Sequence, residues 1–92
     1  MRMTSRYFAA FCLRNAAAAT PSRFGFTVPR AVGKAVQRNR IKRRMREAIR
    51  SQYDQLAYDW TIVFNPRRNV LTTKFEDLCR EIGRIFAQCS QS

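Results

Sequence analysis

The sequence predicts one compact α+β domain, a small β-sheet covered by helices in the order β-β-α-β-α. Three observations carry this. Three short apolar runs alternate with a period of two, at Tyr7–Leu13, Phe24–Val28 and Tyr58–Phe64. Two longer segments repeat apolar residues at helical spacing, one from Ala35 to Tyr53 and one beyond Thr73. Turn and breaker residues separate all five, and 92 residues suffice for one domain, residues 1–92.

The first strand, YFAAFCL, puts Tyr7, Ala9, Phe11 and Leu13 on one face and Phe8, Ala10 and Cys12 on the other. A loop follows from Arg14 to Ser22, since Pro21 and Ser22 closely bound its four alanines. In FGFTV, Phe24, Phe26 and Val28 turn inward, while Gly25 and Thr27 leave a small, partly polar face open to close approach. Pro29 ends that strand. Ile41, Met45, Ala48, Ile49 and Leu56 form one stripe on the main helix. In the third strand Trp60, Ile62 and Phe64 alternate with Thr61 and Val63, and Asn65-Pro66 is expected to break it. Thr73 and Glu76 have capping-box spacing for the last helix. Its stripe is Phe75, Leu78, Cys79, Ile82, Ile85, Phe86 and Cys89.

Charge is distributed unevenly. The net charge is +12, yet residues 1–46 hold twelve Arg or Lys and no acid, while residues 47–92 hold six of each sign. A positive surface is expected on one part of the fold, and its natural partner is a polyanion. From Arg38 to Arg50 seven of thirteen residues are basic and only Glu47 is acidic. On a helical wheel Arg38, Lys42, Arg46 and Arg50 step along one ridge, with Asn39 and Arg43 beside it and Arg40 and Arg44 on the far flank near Glu47. At about 1.5 Å per residue the ridge spans about 18 Å, enough to meet several phosphates. An ordinary solvated face mixes signs to gain i, i+4 pairs, and this one does not. Arginine predominates over lysine, and its planar fork suits phosphates and exposed bases. Arg30 and Lys34 extend the positive surface towards Thr27. Phe11, on a neighbouring strand, is open to two readings, a core ring or a stacking surface.

Several classes are disfavoured. No run approaches the about 20 apolar residues of a membrane span, and the modest apolar stripe is needed to cover the sheet, which argues against a membrane-surface helix. Tyr7–Leu13 is short and closed by Arg14, a poor signal-peptide core. No helix-turn-helix points to DNA. With no histidine and three cysteines that lack C-x-x-C spacing, neither a metal centre nor an activated nucleophile is expected. Cys12, Cys79 and Cys89 each fall on an apolar stripe, as small buried hydrophobes of a reducing cytoplasm do.

FGFTVPRAVGKAVQRNRIKRRMREAIR resembles the signature of the bacterial ribonuclease P protein subunit. There a strand leads through V-G-x-A-V to R-N-R-x-K-R-x-x-R-E, matched by Val32–Val36, Arg38–Arg43 and Arg46-Glu47. The likeness runs from Arg6 to about Phe86. It implies a left-handed β-α-β crossover through the basic helix, against the usual hand. It implies a cytoplasmic RNA-binding subunit of a ribonucleoprotein that removes the 5′ leader from precursor tRNA. The resemblance also implies that the chemistry lies in the catalytic RNA with its Mg²⁺ and that the protein supplies no catalytic or metal-binding residue. Carried over by position, Lys34, Arg38, Asn39, Arg40, Lys42, Arg43 and Arg46 would meet RNA, and Ala9, Phe11, Thr27 and Arg30 would line or flank a leader cleft. The expected partners are the catalytic RNA and the leader, with no membrane and no DNA. Three departures stand out. The family's N-terminal helix is expected to be missing, because the chain starts almost at its first strand. The usual Ser-Lys-Lys is replaced by Pro29-Arg30-Ala31, and a basic C-terminal tail is absent.

Overall fold

The computed structural model describes residues 1–91. Strands β1 (Arg2–Thr4), β2 (Phe8–Arg14), β3 (Arg23–Phe26) and β4 (Trp60–Pro66) form one sheet in the spatial order β1-β2-β4-β3. Helices α1 (Ala35–Arg50) and α2 (Phe75–Ser90) each run 16 residues. The predicted order is present, with one strand added at its front. β1 is too short to show a period. It is held instead by pairing with β2, Met3 opposite Ala10, and by the bond from the Cys12 N–H to the Met1 carbonyl at 2.7 Å. Ser5 Oγ accepts from the Tyr7 and Phe8 N–H groups in the intervening turn. Tyr7, grouped by alternation with Ala9, Phe11 and Leu13, lies in that turn and is buried with the core.

β2 runs antiparallel to β4, and β3 runs parallel to β4, so α1 is the crossover of a β-α-β unit. The inner face of the sheet carries Phe8, Ala10, Cys12, Ile62 and Phe64. Against it pack Ile41, Met45, Ala48 and Ile49 of α1 and Leu78, Ile82, Ile85, Phe86 and Cys89 of α2. Phe8 meets Phe64 edge-on with centroids 5.2 Å apart, and Phe26 stacks on Phe64 at 6.0 Å. Phe24 and Phe26 are only partly buried because β3 is the sheet edge.

β3 ends at Phe26 instead of Val28 and β4 starts at Trp60 instead of Tyr58, and three further boundaries differ for tertiary reasons. α1 stops at Arg50 instead of reaching Tyr53, and Leu56 joins the core from a 3-10 turn, Tyr53–Leu56. Gln52 leaves helical geometry at φ −141° and donates through Nε2 to the Cys79 carbonyl of α2 at 2.7 Å. Gly83 makes room for it, since a Cβ there would lie 2.7 Å from Gln52 Oε1. β4 continues through Pro66 instead of breaking at Asn65. The Arg67 N–H bonds the Tyr7 carbonyl, so the adjacent Pro66 nitrogen faces the β3 side, where β3 has already ended and no donor is needed. α2 starts at Phe75 behind Lys74, without a side-chain cap, so Thr73 and Glu76 form no capping box. Phe75 remains exposed, and Cys79 is only half-buried.

The Arg14–Ser22 loop is clipped to the start of β4. Ala19 (φ 62°) and Asp59 (φ 79°) both adopt left-handed backbone. Asp59 Oδ1 accepts from the Ala19 N–H at 2.7 Å, and the Asp59 N–H donates to the Thr20 carbonyl at 2.7 Å.

Cys12 and Cys89 meet inside the core. Burial pushes both thiols up, and with Cys12 adjacent the Cys89 thiol is pushed up to about 12 from 9.0. The folded state therefore keeps a proton that the unfolded chain gives up first. Stability from this source is whole below pH 9.0 and is lost as pH rises towards about 12. The urea midpoint should decline above that lower limit, and Cys89→Ala should show a shallower alkaline decline from a lower neutral starting point. Equal slopes in both proteins would remove the thiol from the account.

Candidate nucleic-acid interface

The orientation of α1 follows from its two stripes. With Ile41, Met45, Ala48 and Ile49 turned to the core, the remaining positions face outward. Asn39, Lys42, Arg43, Arg46, Glu47 and Arg50 line one open groove of about 550 Å³. Arg40, Arg43, Arg44, Glu47 and Leu71 line a second of about 340 Å³. Glu47 thus borders both. Among the described residues the ion pairs lie on α2, Arg80 with Asp77 at 3.0 Å and Arg84 with Glu81 at 3.2 Å, and no cation of α1 has a carboxylate partner. The field of α1 is therefore uncompensated within the chain and projects into solvent.

Two of the basic residues have internal duties that a wheel does not reveal. Arg38 is half-buried, and its Nε donates to the Gly33 carbonyl at 3.2 Å. It braces the entry to α1 together with Arg68, whose guanidinium donates to the Val32 carbonyl at 2.9 Å. Gln37 Oε1 accepts from the Lys34 N–H at 2.9 Å, closing the first turn. Gly33 is needed beside them, because a Cβ would stand 2.5 Å from Gln37 Oε1. Lys34 occupies the N-cap position with its side chain exposed. Arg44, expected on the far flank, reaches across to donate to the Thr73 carbonyl just before α2. Arg40, Arg43 and Arg46 remain exposed.

The other predicted residues lie on the outer face of the sheet or at its margin. Both helices pack on the inner face, so the outer face is left uncovered. The strand register assembles it in rows. Arg2, Phe11, Val63 and Gly25 cross all four strands in one row. Thr4, Ala9 and Asn65 form the next, and Thr27 lies at its end, where its N–H bonds the Phe64 carbonyl at 2.9 Å. Phe11 is 40% exposed, which decides its two readings in favour of a surface ring, and the Arg2 guanidinium sits 5.6 Å over it. Arg30 is exposed in the 3-10 turn Arg30–Val32 that joins β3 to α1. The structure thus groups Ala9, Phe11 and Thr27 on one face and Asn39, Lys42, Arg43 and Arg46 on another, with Arg30 and Lys34 in the link between them.

The sequence profile of the family described as ribonuclease P matches residues 1–90. The chain belongs to that family. It is 41% identical over 69 residues to the ribonuclease P protein component of Symbiobacterium thermophilum, covering 75% of this chain and 60% of that one. It is 39% identical over 70 residues to that of Syntrophus aciditrophicus, covering 76% and 59%. The chain thus spans about three-fifths of the length of these relatives. The fold is similar to that of the RNase P protein from Thermotoga maritima, with a TM-score of 0.81 and 25% identity over 96% of this chain and 82% of that one.

Sequence reasoning missed Arg2, Val63 and Asn65 as members of the outer face. The alternation of β4 carried the signal for Val63 and Asn65. No local signal marked Arg2, whose strand exists only through pairing. Arg44 was missed as a brace for the same kind of reason, because its acceptor lies 29 residues away.

The division between bracing and exposed arginines is measurable by urea denaturation. Arg44→Ala should cost about 1–3 kcal/mol, since it strands the Thr73 carbonyl. Arg40→Ala should stay within about 0.5 kcal/mol. A neutral Arg44→Ala would show that the bridge contributes nothing.

Proposed function

We propose that this chain is the protein subunit of a ribonuclease P holoenzyme, assisting a catalytic RNA in the endonucleolytic removal of the 5′ leader from precursor tRNA. The observation that carries this is the α1 surface: arginines in an R-N-R-x-K-R signature, turned outward and without a carboxylate partner, in a chain that belongs to the family. Phosphates of the catalytic RNA supply the missing negative charge, to Arg40, Lys42, Arg43 and Arg46 above all, with Asn39 bonding sugar or base edges. Arg38 acts mainly through the shape of the turn it braces.

The outer sheet face receives the single-stranded leader. Phe11 offers a ring for a base to stack on, while Ala9, Gly25 and Thr27 keep the surface low enough for a strand to lie against it. Arg2, Arg30 and Lys34 meet its phosphates. The protein does no bond-breaking in this reading. The Mg²⁺ that hydrolysis needs is held by the RNA in the same reading. No helix among the described residues is long and apolar enough to cross a membrane, and the bacterial cytoplasm is the compartment this role requires.

The direct test mixes the protein with a bacterial ribonuclease P RNA and follows cleavage of leader-bearing precursor tRNA at low Mg²⁺. Large acceleration that depends on both components is expected. RNA binding without acceleration would reduce the chain to a general RNA-binding protein.

Arg43→Ala should weaken binding of the catalytic RNA by about 1–3 kcal/mol. Affinity should also fall with salt along a log–log slope of several units, as for about 5–8 neutralised phosphates. An unchanged affinity together with a flat salt response would move the interface away from α1.

A further inference from the structure

Beside the basic groove lies a cleft of different chemistry. It opens between the β3 edge and the C-terminal half of α1, with a volume of about 390 Å³. Phe24, Phe26, Ile49 and Tyr53 form its apolar walls, and Arg46 and Arg50 stand at its rim. Those same two arginines line the basic groove, so the apolar cleft and the cationic surface are continuous. The Arg46 guanidinium sits 5.6 Å over the Phe26 ring, and Phe24 presents its ring edge-on to Tyr53 at 5.9 Å.

The sheet edge adds hydrogen-bonding groups. Among the described residues β3 pairs only with β4, and the Thr27 N–H points to the Phe64 carbonyl. The alternation of a parallel ladder therefore turns the main-chain N–H and C=O groups of Phe24 and Phe26 away from β4, towards the open edge. Aromatic walls, a guanidinium able to stack, and free main-chain donors and acceptors are what an unpaired base requires. An aliphatic ligand would use only the walls, and a phosphate only the rim.

We propose that this edge cleft is a nucleobase pocket, taking one unpaired base of an RNA whose phosphates lie along α1. The inference rests on the RNA-binding role of α1 argued above and adds a second stacking site, distinct from Phe11 on the outer face of the sheet. Arg46 swings off Phe26 to cap the incoming base, and the edge groups of Phe24 and Phe26 bond its polar rim. One turn of helix separates Arg46 from Arg50, so the flanking phosphates on either side of the base each meet a cation.

The test compares an eight-residue oligoadenylate with an abasic ribose-phosphate strand of the same length, by NMR titration of the 92-residue chain at low salt. The oligoadenylate should bind about five- to tenfold tighter, shift the ring protons of Phe24, Phe26 and Tyr53, and show contacts from adenine to them. Phe26→Leu, which keeps an apolar contact with Phe64, and Tyr53→Leu should each remove most of that advantage while leaving the abasic strand's affinity unchanged. Equal affinity for both strands, with shifts confined to α1 amides, would overturn the pocket and leave the basic surface standing. Adenine contacts found only at Phe11, Leu13 and Val63 would overturn it in favour of the outer face. Failure of both strands to bind would overturn the pocket and remove support from the α1 surface as well.

Discussion

The structure depends on how α1 is rotated. One helix carries an apolar stripe of Ile41, Met45, Ala48 and Ile49 and, among the remaining positions, seven cations. Only one orientation serves both. Burying a large aliphatic side chain is worth about 1.5–3 kcal/mol, whereas placing an unpaired guanidinium in the core would cost several. The stripe therefore sits on the sheet and α2, and Arg40, Arg43, Arg46 and Arg50 are turned into solvent together. Because no acid precedes Glu47, that one carboxylate is all α1 has to offset seven cations. Their mutual repulsion is relieved when a polyanion arrives, so the same arrangement that strains the free protein favours the bound one.

The sheet shows a matching asymmetry. Both helices cover its inner face, and the outer face is left to solvent with Phe11, Leu13 and Val63 exposed on it. A monomer with no partner would normally carry polar residues in such positions. Arg2 over Phe11 and Arg14 over Trp60 keep cations close to aromatic rings on β2 and its neighbours. The open edge at β3 is short, four residues, and is followed closely by Pro29, which limits pairing with another chain.

Much of the basic complement also serves folding. Arg38, Arg44 and Arg68 each donate to a backbone carbonyl at a turn, where helices and 3-10 segments leave acceptors without partners. At the two ends of α1, Gln37 accepts from the Lys34 N–H and Gln52 donates to the Cys79 carbonyl. Long side chains that reach neighbouring carbonyls hold the exposed arginines in register, since the entry and exit of α1 are fixed by them. Removing a bracing arginine and removing an exposed one are consequently different experiments, although the two types alternate along one helix.

By itself, the sequence determined the element types, the alternating faces of β2 and β4, the inward face of β3, the core stripe of α1 and the sign and location of the charge. These are local properties, set by periods of two and 3.6 and by the order of residues along the chain. Tertiary structure alone decided that β1 exists, that β3 lies parallel to β4 at an edge, that α1 ends at Arg50 and that β4 runs through Pro66. It also decided that Arg38 and Arg44 leave the basic surface to brace turns, and that Arg2, Phe11, Val63 and Gly25 share a row. Each of these turns on hydrogen bonds or contacts between residues distant in sequence, such as Gln52 with Cys79 or Arg44 with Thr73, and periodicity along one segment carries no information about a partner on another.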